Sequence, residues 1–115
     1  MVLVIDMVLV AIPVENNNGE NSIVAARFAR APYIALIDVD RGTIRSLNII
    51  QNPHMYGRGG VGIIVSQWLA NQGVQIVIAP SVGPNAASVL QSMGIMIKNV
   101  PPGITIRDAI IQSGI

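Results

Sequence analysis

The pattern of apolar residues changes near residue 52, where runs typical of strands give way to an alternation of helices and strands. Before that point, β-branched and apolar runs predict strands over residues 8–14, 33–39 and 43–50. After it, one helical face that comprises Val61, Ile64, Val65, Trp68 and Leu69 predicts a buried apolar stripe on a helix that begins near Val61 and ends before Gly73. The remaining predicted elements are a strand over 75–79, a helix over 84–93, a strand over 95–100 and a short final helix after a capping-box pattern at 105–108. The predicted order is β-β-β-α-β-α-β-α.

This order predicts an α/β fold with a mixed sheet of five strands. Strands joined by a helix pair in parallel through right-handed crossovers, whereas a short turn at 40–42 joins the second and third strands as a hairpin. If the second strand runs antiparallel, the other four point the same way. The loops at 15–31, 52–62 and 80–85 then lie together at the edge where open α/β sheets bind their ligands.

The first of these loops ends in two arginines. Arg27 and Arg30 could hold a carboxylate, a phosphate or another anion through charge-assisted hydrogen bonds. The alternative is that both are solvated surface charges beside a buried Phe28. Both arginines are candidate ligand-binding residues.

The second loop combines glycines and basic side chains at a strand-to-helix junction. It contains the single histidine, His54, together with Gly57, Arg58, Gly59 and Gly60. Backbone N–H groups exposed at the start of a helix bind anions well. The loop is not a Walker motif, because no Lys-Ser/Thr pair follows the glycines, and it lacks the acidic residue about 20 positions on that the dinucleotide fingerprint requires. The glycines could instead serve only a tight turn and close helix packing.

The third loop places a second helix start at the same edge. Gly83 and Asn85 flank Pro84, and proline is typical of the first helical position. The segment could simply start the helix, or it could also aim the helix N-terminus at the same ligand. Gly83 and Asn85 complete the candidate ligand-binding residues.

Composition narrows the classes of function. The 115 residues are most simply one domain, 1–115, and a net charge of +1 gives no electrostatic case for nucleic-acid binding. The chain has no cysteine and supplies no thiolate to a metal, which leaves His54 as the candidate metal ligand. A Gly-x-Ser-x-Gly elbow is absent and the carboxylates are scattered, so we expect no catalytic activity.

The apolar start of the chain favours a buried strand over a signal peptide. It lacks a basic N-terminal region, and Asp6 interrupts an apolar run that is too short to span a bilayer. We therefore expect a cytoplasmic protein with no membrane partner. Residues 1–6 would form an N-terminal extension if Met7 is the start.

Taken together, the loops resemble the dinitrogenase iron–molybdenum cofactor biosynthesis family, which includes domains of the NifX, NafY and NifB C-terminal type. The resemblance covers residues 7–115. The segments that carry it are Val10-Ala11-Ile12-Pro13-Val14, Arg27-Phe28-Ala29-Arg30-Ala31-Pro32-Tyr33, Asn52-Pro53-His54, Gly59-Gly60-Val61-Gly62 and Gly83-Pro84-Asn85-Ala86. The resemblance implies a ribonuclease-H-like three-layer fold with strand order 3-2-1-4-5. It further implies non-catalytic binding or carriage of an iron–sulfur or iron–molybdenum-type cluster, with cluster donor or acceptor proteins as partners.

Two departures from the family pattern bear on the ligand. The family commonly has His-Phe-Gly-Arg-Ala-Pro where this chain has residues 27–32, so the histidine implicated in cluster binding is Arg27 here. The family's glycine loop often carries several histidines, whereas this one has only His54. The positive charge and the backbone donors remain, and they suit an anionic ligand.

Several functions are therefore open. The first is an accessory or carrier protein for a metallocluster, and the second is a binder of a non-metal anion, such as a nucleotide or phosphate, at the same edge. A nuclease is suggested only by fold analogy, and the scattered carboxylates disfavour it. A self-associating interaction domain is the last alternative, since the sequence leaves the oligomeric state open.

Overall fold

The computed structural model describes residues 7–115, which form a five-stranded sheet between two layers of helix. The strands are β1 (Met7–Val14), β2 (Tyr33–Asp40), β3 (Thr43–Gln51), β4 (Ile76–Ala79) and β5 (Met96–Asn99). The α-helices are α1 (Val61–Asn71), α2 (Pro84–Ser92) and α3 (Ile106–Ser113), and a short 3-10 helix covers Gly19–Asn21. The predicted order of strands and α-helices is confirmed. The proposed extension at 1–6 lies outside the described residues.

The strand order is β3-β2-β1-β4-β5. β2 pairs antiparallel with β1 and β3, whereas β4 pairs parallel with β1 and β5. β1, β3, β4 and β5 therefore run in the same direction, and the predicted mixed sheet is confirmed. The carboxyl ends of these four strands lie at the same end of the sheet, which we call the carboxyl edge. The loops after β1, β3 and β4 meet there.

The hairpin between β2 and β3 turns at the opposite edge. Its two turn residues, Arg41 and Gly42, have φ values of 49° and 81°. Positive φ at both positions is the backbone of a tight hairpin turn whose twist matches that of the strands. Arg45 pairs with Asp40 there, with 3.4 Å between Nη2 and Oδ2. This edge is therefore well separated from the three loops.

The two faces of the sheet carry separate clusters of buried side chains. Val10 and Ile12 of β1 pack under α3, whereas Ala11 packs under α1 and α2 on the other face. The central strands are covered on both sides, which explains their continuous apolar runs. Within α1, Ile64 is 42% exposed, so the buried stripe is narrower than its spacing predicted.

Residues 23–31, the second half of the first predicted loop, have no helix and are irregular. Isolated bridges from Val24 to Val14 and from Ile23 to Thr105 hold the start of this segment against the sheet and against the loop before α3. Among residues 7–115, no helix has both the length and the apolar character needed to cross a membrane.

Candidate functional site

An open cavity of about 320 Å³ lies at the carboxyl edge, on the face that α1 and α2 cover. Three separate parts of the chain line it: the end of the first loop, the first turn of α1, and the third loop with the start of α2. The lining residues are Arg27, Phe28, Ala29, Gly62, Ser81, Gly83, Pro84, Asn85 and Ala86. The fold therefore brings the first and third loops together at one site.

The predicted ligand-binding residues divide into two groups. Arg27, Gly83 and Asn85 line the cavity. The residues outside its lining are Arg30, His54, Gly57, Arg58, Gly59 and Gly60. Sequence reasoning had not singled out the remaining lining residues as ligand-binding, namely Phe28, Ala29, Gly62, Ser81, Pro84 and Ala86. All six lie close in sequence to predicted ligand-binding residues. That proximity is the sequence feature that could have identified them.

Both helices that begin at this cavity have uncapped N-termini. Gly60 precedes α1 and Gly83 precedes α2 without any capping side chain, and neither helix has an acidic residue in its first turn. In α3, on the other face, Thr105 Oγ1 accepts a hydrogen bond of 3.1 Å from the Asp108 N–H. The first N–H groups of a helix lack partners within the helix and carry about half a positive charge. α1 and α2 therefore offer free donors at the carboxyl edge.

Arg27 adds a cationic side chain to the cavity lining. It is exposed and has no ion pair among the described residues. Arg45, by contrast, pairs with Asp40, and Arg107 lies 3.8 Å from Glu20. An unpaired guanidinium beside free backbone donors favours an anionic ligand.

Arg30 makes a contact between loops. Its Nη1 donates a hydrogen bond of 3.1 Å to the carbonyl oxygen of Met55 in the second loop. This contact joins the first and second loops beside the site. Arg58, further along the second loop, is exposed and lies outside the cavity lining.

His54 packs against α1. Its ring lies edge-on to the ring of Trp68, with 6.2 Å between the centroids and 71° between the planes. Its carbonyl oxygen accepts a hydrogen bond of 3.1 Å from the Gly57 N–H. In the part of the chain that the structure describes, no group of three or more His, Cys, Asp or Glu side chains could hold a metal ion. Direct ligation through the lone imidazole would therefore supply a single bond.

Some glycine positions in these loops require glycine for structural reasons, and others do not. Gly60 has a φ of +65°, which favours glycine, and a Cβ at Gly62 would lie 3.1 Å from the Cβ of Ala86. A Cβ at Gly57 would lie 2.8 Å from Cγ2 of Val61. A Cβ at Gly59 or Gly83 would meet nothing within 4 Å. Turn and packing requirements therefore account for Gly57, Gly60 and Gly62, and leave Gly59 and Gly83 without such a reason.

A family model described as dinitrogenase iron-molybdenum cofactor matches residues 8–113 of the chain. The match includes the three loops and all three α-helices. An uncharacterised protein of Methanocaldococcus jannaschii is 30% identical over 94 residues, which are 82% of this chain and 75% of that protein.

Two solved structures are similar over most of the chain. The apo form of the orange protein from Desulfovibrio gigas is 28% identical, with a TM-score of 0.81, and the match covers 95% of this chain and 88% of that one. A candidate NifB protein from Thermotoga is 33% identical, with a TM-score of 0.72, over 90% of this chain and 84% of that one. These likenesses agree with the α/β fold described above.

Proposed function

Because this chain belongs to the dinitrogenase iron-molybdenum cofactor family, we propose that it is a non-catalytic accessory or carrier protein that binds an anionic iron–sulfur-type metallocluster at its carboxyl edge. The observation that carries this proposal is the cavity in which Arg27 lies beside the uncapped start of α2. The cluster is cargo, so the protein must hold it and release it. Proteins that donate and accept the cluster are the expected partners, and the cytoplasm is the expected compartment.

The residues of the cavity suit an anion held mainly by hydrogen bonds. The N–H groups of Asn85 and Ala86 belong to the first turn of α2, where N–H groups lack helical partners. Arg27 adds a charge-assisted donor, and Phe28 adds an apolar wall. The chain contributes no thiolate, and His54 is its single imidazole. Few direct metal bonds would favour release of the cargo.

The second candidate is a non-metal anion, such as phosphate or a nucleotide, at the same cavity. Two observations favour it. Arg27 stands where the family commonly has histidine, and the described residues contain no group of three metal-ligating side chains. Guanidinium and helix N-terminal donors recognise phosphate as well as they recognise other anions.

A loading experiment tests the two candidates. The protein is incubated anaerobically with a preformed thiolate-capped iron–sulfur cluster and passed through a desalting column, and visible absorption and bound iron are then measured. We expect a bound chromophore and about tenfold weaker binding in Arg27→Met, because a charge-assisted hydrogen bond contributes about 1.5–3 kcal/mol. Arg45→Met removes the same charge at the opposite edge and should bind normally.

Iron-free protein after loading would overturn the cluster proposal. Thermal shift and calorimetry with inorganic phosphate and nucleotides would then test the second candidate. Binding that is weakened by Arg27→Met would support it, and the absence of binding to every anion tested would overturn it.

A further inference from the structure

We propose that Asn52 is a positioning residue of the ligand site, which holds the cavity wall at 27–29 against the second loop. The effect on ligand binding rests on the proposed function, whereas the coupling between the two loops does not. Asn52 itself lies outside the cavity lining. Its influence on a ligand must therefore pass through the residues that it holds.

Both polar atoms of the Asn52 side chain form hydrogen bonds. Nδ2 donates to the carbonyl oxygens of Ala29 and Ala31 over 2.8 and 2.9 Å. Oδ1 accepts a hydrogen bond of 3.0 Å from the N–H of His54. Asn52 is only 4% exposed, although it directly follows β3, which is an edge strand of the sheet. An amide of this length supplies the two donors and the acceptor that these three groups need.

These hydrogen bonds hold the cavity wall at 27–29 from a side chain that does not itself line the cavity. Ala29 lines the cavity, and its carbonyl oxygen is held by Asn52. Phe28, also in the lining, is 4% exposed and packs in the core under α1 and α2. The wall is thus anchored by the Phe28 ring and by the Asn52 amide, and these anchors set the backbone from which Arg27 extends.

The same side chain ties this wall to the second loop. Asn52 bonds both Ala29 and His54, and Arg30 adds its own bond to the carbonyl oxygen of Met55. The first and second loops are therefore joined at several points and behave as one unit. Loss of the amide would release the wall at 29–31 and the turn at His54 together.

The test replaces Asn52 with aspartate. Asn52→Asp keeps the shape but removes both donors and places a carboxylate against two carbonyl oxygens. Asn48→Asp is the matched control, because Asn48 is an exposed residue of β3 and the variant has the same change in charge. Both variants are checked for folding by circular dichroism before any other measurement.

Two readouts on the ligand-free protein test the coupling. Amide hydrogen exchange at His54 should become at least about tenfold faster in Asn52→Asp, because the carbonyl oxygens of Ala29 and Ala31 repel the carboxylate from the position in which Oδ1 accepts the His54 N–H. The emission of Trp68, the single tryptophan, should change because the His54 ring lies against it. Asn48→Asp should resemble the wild type in both. Wild-type exchange and emission in a folded Asn52→Asp would overturn the coupling.

Binding of the preformed thiolate-capped cluster tests the positioning role. We expect about 10- to 100-fold weaker binding in Asn52→Asp, as for outer-shell partners of other sites. Weaker binding with unchanged exchange at His54 would overturn this role, since it would indicate that the new carboxylate repels the anion directly and not through a change in the cavity wall. Failure of the wild type to bind the cluster would overturn the proposed function, while the exchange and emission data would still decide the coupling.

A second variant covers the case in which Asn52→Asp does not fold. Asn52→Ala, with Asn48→Ala as its control, removes both donors and the acceptor without adding a charge. It should speed exchange at His54, whose N–H loses its acceptor, and change Trp68 emission. A folded Asn52→Ala protein with wild-type values in both would overturn the coupling.

Discussion

The guanidinium of Arg30 donates a hydrogen bond of 3.1 Å to the carbonyl oxygen of Met55, 25 residues further along the chain. Arg27, three residues earlier in the same loop, lines the cavity. The two arginines therefore have different structural roles, although both were predicted to bind ligand. Arg30 braces the second loop, and Arg27 faces the space that a ligand would occupy.

This division predicts different effects for the same substitution. Arg30→Met should weaken binding of the thiolate-capped cluster less than Arg27→Met does, because it removes a brace and not a donor in the cavity lining. Since Arg30 is exposed, we expect the free energy of unfolding to change by no more than about 0.5 kcal/mol. Cluster titration and urea unfolding measure the two effects. Equal losses of affinity in the two variants would contradict the division.

His54 provides the next prediction. His54→Ala removes the edge contact with Trp68, so the tryptophan emission should change in the ligand-free protein. Because His54 lies outside the cavity lining, binding of the cluster should fall less than in Arg27→Met. Fluorescence and bound iron give the two values. Complete loss of bound iron in a folded His54→Ala protein would instead identify the imidazole as a direct ligand.

The element order, the mixed sheet and the carboxyl edge were predicted from periodicity and connectivity, whereas the three layers and the strand order were predicted from the resemblance to the family. Strand-type runs and helical spacing gave the element order, and helical crossovers forced the parallel pairing. The position of the carboxyl edge follows from the same connectivity. Ile64 lies on the predicted apolar face of α1 but is exposed. Residue spacing gives the angular width of an apolar stripe, whereas the burial of each residue in it depends on how the sheet and α2 cover α1.

The division of roles within the site could not be read from residue types. Arg27 and Arg30 are the same amino acid three positions apart, and only the path of the loop decides which one faces the cavity. Asn52 looks like any asparagine in a turn, since the carbonyl groups that it binds lie 21 and 23 residues earlier. Long-range contacts of this kind leave no local pattern in the chain.

Gly62 is predicted to be required for the close approach of α1 and α2. In Gly62→Ala the new Cβ would lie 3.1 Å from the Cβ of Ala86, and overpacking of this kind costs about 1–3 kcal/mol. Alanine gains about 1 kcal/mol over glycine in a helix, so we expect a net loss of about 1 kcal/mol in urea unfolding.

Two further variants control for this effect. Gly59→Ala places a Cβ in open space, so the free energy of unfolding should stay within about 0.5 kcal/mol of the wild type. Ala86→Gly in the Gly62→Ala background should relieve the overpacking, so Gly62→Ala should cost less in that background. A Gly62→Ala protein as stable as Gly59→Ala would show that the helices adjust freely.

The cap of α3 should matter for stability but not for the ligand. Thr105→Ala removes the acceptor for the Asp108 N–H and should cost about 1 kcal/mol of unfolding free energy. Thr105→Ser keeps the hydroxyl and should stay close to the wild type. Cluster binding should be unchanged in both, because α3 covers the opposite face of the sheet. A loss of binding in Thr105→Ala would mean that the two faces are coupled.

Gly83 should show opposite effects on stability and binding. It has φ −58° and ψ 155°, which other residues adopt readily, and a Cβ there would meet no atom within 4 Å. Gly83→Asp can cap α2, and its charge should add about 0.3–1 kcal/mol of stability at the helix N-terminus.

The carboxylate of Gly83→Asp would accept hydrogen bonds from the same N–H groups that we propose for the anion, and its charge would repel the anion. Cluster binding should therefore fall at least about tenfold. Gly83→Asn has nearly the same shape without the charge and should lose less affinity. Urea unfolding of the two variants measures the effect on stability, and cluster titration measures the effect on affinity. Wild-type binding in Gly83→Asp would show that the start of α2 does not bind the cluster.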